Sequence, residues 1–291
     1  MNGNMYDLGL IGNTEILEPF VKRIQKNKQV NVIGKASVGS SAQLNSFHFS
    51  IPEINRVELI ERSDILLIDN SSVLPFKLLS DIVRKSKHIF AAGYPKITID
   101  ECTQLVKLAN ESGSVIQVKN PYFFTAAIQW LNKNVSSPAF LDILDFTGDK
   151  EKEDKLYPIV MMVLGIIGTS PKKVGAVTFN STPNHSDFTN VRLEFGDASV
   201  INISFGNLES LEEFKIRIYS KNQFISFNFS KKTFVSNNQP INLSEYKVNE
   251  FDLFINTINK TSKKQSNLED YLIAMHLVQK INKKIAQFFT Q

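Results

Sequence analysis

The sequence predicts an α/β N-terminal half built on a parallel sheet, followed by an α+β half with an open, mainly antiparallel sheet. Three observations predict this. Apolar runs of strand length alternate with helical patterns from Tyr6 to Val118, the order that yields a parallel sheet covered by helices. At the start, a strand turns through Gly12 into a helix, as in units that seat a pyrophosphate on unpaired helix-terminal N–H groups. From Lys173 to Ser230, strands follow one another without intervening helices. Gly196-Asp197 and Lys221-Asn222 stand between them as hairpin turns, which implies antiparallel pairing.

Each element has a local reason. Ile16, Leu17, Phe20, Val21 and Ile24 recur at helical spacing after the first strand. Val30 to Ile33 reads as the second strand, and residues 36–57 as a polar, irregular connection. Asp64 to Asp69 is an apolar run suited to a strand buried on both faces. A helix is expected over 73–86, a strand over His88 to Ala91, and a helix from Thr98 to about Glu111. Thr98 and Glu101 form a capping box for that helix. Ser114 to Val118 is the last strand of the alternation, which sets expected domains of 1–120 and 121–291. Beyond it, helices are expected over 123–134 and 157–168, with a strand over 139–146 between them. The hairpin strands follow, and helices over 250–260 and 269–288 close the chain.

Composition excludes several classes. Apolar residues make up 42% and charged residues 21% of 291 residues, ordinary for a globular protein. The net charge of +4 is spread along the chain; the pairs Lys263-Lys264 and Lys283-Lys284 are too sparse for a nucleic-acid surface. Cys102 is the only cysteine, which rules out an internal disulfide and a cysteine-ligated zinc site. His48, His88 and His276 lack neighbours at catalytic or metal-ligand spacing. The longest uncharged apolar run, Tyr157 to Ile167, is too short to span a bilayer. MNGNMYD lacks the regions of a signal peptide, so the expected compartment is the cytoplasm.

The cofactor loop is eroded. A full dinucleotide fingerprint reads G-x-G-x-x-G; here the turn is Gly12-Asn13-Thr14-Glu15-Ile16-Leu17. Gly12, Asn13 and Thr14 are the residues left to meet a phosphate, and Asn70 follows the third apolar run at the same end of the sheet. Thr14 stands where a second glycine would admit the pyrophosphate, and Glu15 adds a carboxylate in the first helical turn. After the second strand, where an acidic residue holds the ribose in NAD-binding units, the chain has Lys35. Lys35 reads as a surface lysine, with a 2′-phosphate partner as the functional alternative. NAD or NADP is therefore the expected cofactor type, with weak or absent binding.

A Rossmann-like half followed by an open sheet resembles the Gfo/Idh/MocA family of NAD(P)-dependent oxidoreductases. SDILLIDNSSVLPFKLLSDIVRKSKHIFAAGYPKITIDECTQLVKLANESGSVIQV has the order of that family's central segment, and NEFDLFINTINKTSKKQSNLEDYLIAMHLVQKI that of its closing segment. The resemblance covers nearly the whole length and rests on order and spacing. It implies hydride transfer between NAD(P) and a hydroxyl carbon of a sugar or cyclitol. It also implies a proton-handling lysine in a Glu-Lys-Pro turn and an Asp/His pair on the helix after the domain crossover. This chain has Gly93-Tyr94-Pro95 in the turn, and Lys155 to Leu164 holds neither Asp nor His. Tyr94 is a poor base at an unperturbed pKa of about 10. His185, expected in the loop TPNHSD between two strands, is the remaining candidate for acid–base work.

The expected function is a homologue of these oxidoreductases serving as a non-catalytic binding or regulatory protein. The alternative is an active NAD(P)-dependent enzyme on a sugar or cyclitol, with Tyr94, His185 or Lys35 as displaced groups. Expected partners are a sugar-like small molecule and a second copy of the chain, paired through the C-terminal sheet as the resemblance implies. That sheet alternates Ile225, Phe227 and Phe229 with Phe224, Ser226 and Asn228, which puts apolar side chains on both faces. Neither nucleic acid nor membrane is expected.

Overall fold

The computed structural model describes residues 5–24, 26–36, 51–69, 74–136, 138–147, 152–182, 185–207, 212–263 and 265–289. Within these, the side chains of 14–16, 19, 152–154, 180–182, 185–187 and 288–289 lie outside the description. Two compact units result: residues 1–119 with 249–272, and residues 120–248 with 273–291.

The first unit carries the alternation. β1 (Tyr6–Ile11), α1 (Thr14–Ile24), β2 (Val30–Ala36), α2 (Arg56–Arg62), β3 (Ile65–Ile68), α3 (Phe76–Arg84), β4 (His88–Ala91), α4 (Ile99–Ser112) and β5 (Ile116–Val118) follow in order. The strands form one parallel sheet in the order β2-β1-β3-β4-β5. Every residue of β3 is buried, as a strand covered on both faces requires. The chain runs to one side of β1 for β2 and to the other for β3, so the strand order reverses between β1 and β3. In open α/β sheets ligands bind outside the strand ends at such a switch point.

Within the 36–57 connection, residues 37–50 lie outside the described residues, and residues 51–57 carry regular pairing and the start of a helix. An isolated parallel bridge joins Lys35 to Glu53, with Lys35 N–H to Pro52 O and Ile54 N–H to Lys35 O both at 2.9 Å. The short helix α2 follows, capped by Asn55 Oδ1 on the Val57 N–H at 2.9 Å. Its Leu59 and Ser63 come so close to β1 that a Cβ on Gly9 would meet Ser63 Oγ at 2.4 Å. The missed helix has only 7 residues, too few for a periodic pattern to emerge from a polar stretch.

α7 (Glu250–Ile258) returns to this unit and completes its core. Phe90 of β4 meets the rings of Phe251 and Phe254 edge-on, each at 5.5 Å between centroids. Leu8, Leu10, Leu17, Val21, Ile65 and Leu67 are buried in the same cluster. The Thr98–Glu101 capping box forms as expected, with Glu101 N–H to Thr98 Oγ1 at 3.2 Å and Thr98 N–H to Glu101 Oε2 at 2.8 Å.

The second unit contains α5 (Ala126–Asn134), β6 (Phe140–Asp145), α6 (Lys152–Ile167), β7 (Lys173–Thr182), β8 (His185–Glu194), β9 (Val200–Phe205), β10 (Phe214–Ser220), β11 (Gln223–Asn228), β12 (Thr233–Ser236) and β13 (Gln239–Pro240). Its eight-stranded sheet has the order β13-β12-β11-β10-β6-β9-β8-β7. All pairs are antiparallel except β6–β9. Register places Val191, Ile203, Ile143, Ile216 and Phe227 in one row across the sheet, and Leu193, Ile201, Leu141, Ile218 and Ile225 in the next. All of these side chains are fully buried. α6 buries Leu156, Ile159, Val160, Met161, Met162 and Val163, the all-round apolar character of a core helix. α8 (Leu268–Phe289) ends the described chain.

Candidate functional site

The switch point between β1 and β3 brings together part of the expected cofactor loop. Gly12 has a φ of 131°, in the region where a side chain is disfavoured. Its N–H donates to Ala36 O at 3.2 Å. Asn13 comes next and its carbonyl accepts the Leu17 N–H at 3.1 Å, so Asn13 is the N-cap of α1 by backbone geometry. The Asn13 N–H points across the crevice to Asp69 Oδ2 at 3.1 Å. Asp69 lies directly after β3 and is only 1% exposed; its own N–H donates to Ile11 O at 2.9 Å.

Asp69 was not legible as a loop residue. In the sequence it ends an apolar strand 56 positions from Asn13, and only the parallel pairing of β1 with β3 joins them. Asn13 thus meets Asp69 and Gly12 directly precedes it, while Thr14 opens α1 with a side chain outside the described residues. The Glu15 side chain and all of Asn70 also lie outside them. Lys35 is paired in register with Leu10 and is half-buried beside the 52–54 segment. A cavity of about 40 Å³ opens behind the strand ends, lined by Ile68, Asp69, Leu79, Gly93, Pro95 and Leu268 among others. It has room for a few waters.

Tyr94 sits in the turn after β4. Its ring stacks on Tyr271 at 5.9 Å between centroids, with the planes 17° apart. The Tyr94 hydroxyl is shielded from solvent. Tyr271 in turn donates its hydroxyl to Pro95 O at 2.9 Å. Aromatic packing and the Tyr271 hydrogen bond to its backbone thus help hold the turn. His185 opens β8 opposite Thr182 and so lies in a hairpin strand instead of the loop expected for it; its side chain is outside the described residues.

The second unit has a polar cluster of its own at the ends of β6 and β9. Asp145, 1% exposed, accepts Tyr122 Oη at 3.2 Å on one oxygen and Thr147 Oγ1 at 2.6 Å on the other. Burial, with the Asp145 charge second, holds the Tyr122 hydroxyl far above its ordinary range, so it stays a donor. Lys155 is 2% exposed and donates to Gly206 O and Asn207 Oδ1, both at 2.8 Å. α6 begins at Lys152, which places Glu153 and Asp154 in its first turn. Lys155 to Leu164 holds neither Asp nor His, as read; the helix starts earlier than expected, and the side chains of Glu153 and Asp154 are outside the description. Among the described residues, no group of three His, Cys, Asp or Glu is placed to hold a metal. No helix among them is long and apolar enough to cross a membrane.

No family model and no curated protein sequence matches the chain. Solved structures do. UDP-N-acetylglucosamine 3-dehydrogenase GnnA from Acidithiobacillus ferrooxidans superposes with a TM-score of 0.79 at 15% identity, over 98% of this chain and 99% of that one. The WlbA dehydrogenase from Bordetella pertussis, solved with NADH and UDP-GlcNAcA, gives 0.76 at 13% identity, over 97% and 96% of the two chains. Biliverdin reductase from Synechocystis sp. PCC 6803, solved with biliverdin and NADP+, gives 0.71 at 13% identity, over 96% and 99%. At such identities the likeness establishes the fold and leaves the chemistry to the residues. The parallel-sheet unit and the eight-stranded, mainly antiparallel sheet together make the fold of the NAD-dependent dehydrogenases of Gfo/Idh/MocA type.

Proposed function

We propose that this chain is a non-catalytic homologue of the NAD(P)-dependent oxidoreductases, acting as a binding or regulatory protein. The observation that carries the reading is the turn after β4. Where the resemblance implies a proton-handling lysine, the chain has Tyr94, stacked on Tyr271 with its hydroxyl shielded from solvent. A general acid or base must reach the reacting hydroxyl and change protonation near neutral pH. An enclosed phenol meets neither condition. Lys155, the one buried cation of α6 among the described side chains, is engaged with Gly206 and Asn207.

Binding of NAD or NADP is weak or absent in this reading. Thr14 replaces the glycine that admits the pyrophosphate, and Glu15 adds negative charge beside it. The retained ligand is a sugar-like small molecule, and the chain works in the cytoplasm as a homo-oligomer. A second reading has one specific support. GnnA is named for a UDP-sugar and WlbA was solved with NADH and a UDP-sugar, so an active enzyme on such a substrate, using Tyr94, His185 or Lys35, stands as the alternative. Biliverdin reductase on the same fold shows that the fold alone does not select sugars.

Titration calorimetry with NADH and NADPH, followed by a turnover assay on UDP-sugars, separates the two. Millimolar or undetectable dinucleotide binding and no turnover is the expected result. A low-micromolar dissociation constant with turnover would put the active enzyme first.

A further inference from the structure

We infer that Asp69 is a built-in anion for the phosphate loop, and that its carboxylate holds the place a dinucleotide phosphate would take at the start of α1. The inference deepens the reading above and rests on it. Two backbone donors precede α1, and both are used. The Gly12 N–H goes to Ala36 O and the Asn13 N–H to Asp69 Oδ2. A phosphate oxygen seated on the Asn13 N–H would have to stand where Oδ2 stands.

The residues therefore do not fit a dinucleotide at this end of the sheet. The misfit is electrostatic as well as steric. Asp69 is almost wholly removed from water, so its charge is poorly screened. A phosphate on the neighbouring amides of α1 would lie at about 5 Å from that carboxylate, and with an effective dielectric of about 20 the repulsion costs roughly a hundredfold in affinity per unit charge. The same carboxylate supports the fold. It satisfies a helix-terminal donor and lies at the positive end of the α1 dipole, the two roles a bound phosphate plays in dinucleotide-binding units. The two backbone donors before α1 are thus satisfied without a ligand. A molecule accommodated at this switch point is one with no phosphate at the α1 terminus.

The test compares Thr14→Gly with Thr14→Gly/Asp69→Ala, so that the side chain at position 14 does not mask the result. NADH and NADPH are titrated into both variants and the parent chain, with circular dichroism to verify folding. The expected result is negligible binding by the parent and at least tenfold tighter binding by the double variant than by Thr14→Gly. A folded double variant with no such gain overturns the inference and leaves the weak-binding reading intact. A low-micromolar constant for the parent overturns both. Should the double variant fail to fold, the Asn13 amide resonance of the parent decides. Inorganic pyrophosphate at neutral pH is expected to leave the Asn13 amide resonance unmoved, and a saturable shift of that resonance overturns the assignment.

Discussion

His88 shows how a single residue couples this fold to pH. It stands at the start of β4, half-buried, and its Nδ1 accepts the Val115 N–H at 3.0 Å. That bond requires an unprotonated Nδ1. Burial lowers the His88 pKa below its ordinary value, and the charge of Asp64 opposes the shift only in part. The unfolded chain takes up the proton first as pH falls through about 6.5. Stability is thus fully present above that pH and declines below it, until the folded imidazole also protonates. Denaturant midpoints measured between pH 8 and 5 should fall on the acid side, and His88→Gln should remove that part of the decline. A parallel slope in both chains would refute the assignment. Cys102 is the opposite case, with no access to water and its thiol pushed up to about 12 by burial. It should resist a disulfide reagent at pH 8 in the native protein and react fully once the chain is denatured. Rapid native labelling would show that α4 opens. Asp69 belongs to this scale too. Its type and position are plain in the sequence, but its partner is reached only through strand pairing, so no local pattern marks it.

At the scale of elements, legibility followed the range of the signal. The capping box of α4 is written within four residues, Thr98 to Glu101, and it forms as read. Replacing Thr98 with Ala removes the hydroxyl that accepts the Glu101 N–H and leaves the reciprocal bond from the backbone N–H of residue 98 in place, and should cost about 1 kcal/mol in chemical denaturation. No measurable loss would mean that water caps the helix equally well. α2 and the β12–β13 hairpin were not legible because they are short. The hairpin does carry a signal in Asn237-Asn238, both at positive φ, the turn chemistry of a two-residue loop. α2 is fixed by packing. Its approach to β1 leaves no room for a side chain at Gly9, where a Cβ would come within 2.9 Å of Leu59 Cγ as well as 2.4 Å of Ser63 Oγ. Gly9→Val should therefore destabilise the first unit by about 1–3 kcal/mol through overpacking. A variant as stable as the parent would show that α2 is free to move away.

For the whole molecule, the sheet of the second unit has one face that is closed and one that is open. The closed face holds the two rows of fully buried aliphatic and aromatic side chains. Of the alternating set Ile225, Phe227 and Phe229, the first two stand in these rows and are wholly buried, while Phe229 follows β11 and is half-buried. On the other face, register sets Gly175, Arg192, Asn202, Asp142, Arg217, Ser226 and Val235 in one polar row. Arg217 pairs there with Asp142, and Asn190 donates to Ser204 in the adjoining row at 3.0 Å. Apolar side chains stand at the two sides of this row. Phe140, Tyr219 and Phe224 form one group, with centroids 5.8 and 5.0 Å apart along it. Val177 and Phe179 form the other on the edge strand β7, 47% and 67% exposed. Exposed apolar groups flanking a polar band suit a self-complementary interface, because a two-fold axis pairs each group with its copy or with the other. An uncovered β7 edge bearing Phe179 would also invite strand pairing between chains. We therefore expect a homo-oligomer at micromolar concentration, assembled through this face. Sedimentation should give a mass of at least two chains for the parent, and Tyr219→Glu with Phe179→Glu should give one chain without lowering the unfolding midpoint. Both substitutions fall on exposed side chains, so an intact fold with an unchanged oligomeric mass would move the interface elsewhere, and a parent of single-chain mass would remove it altogether.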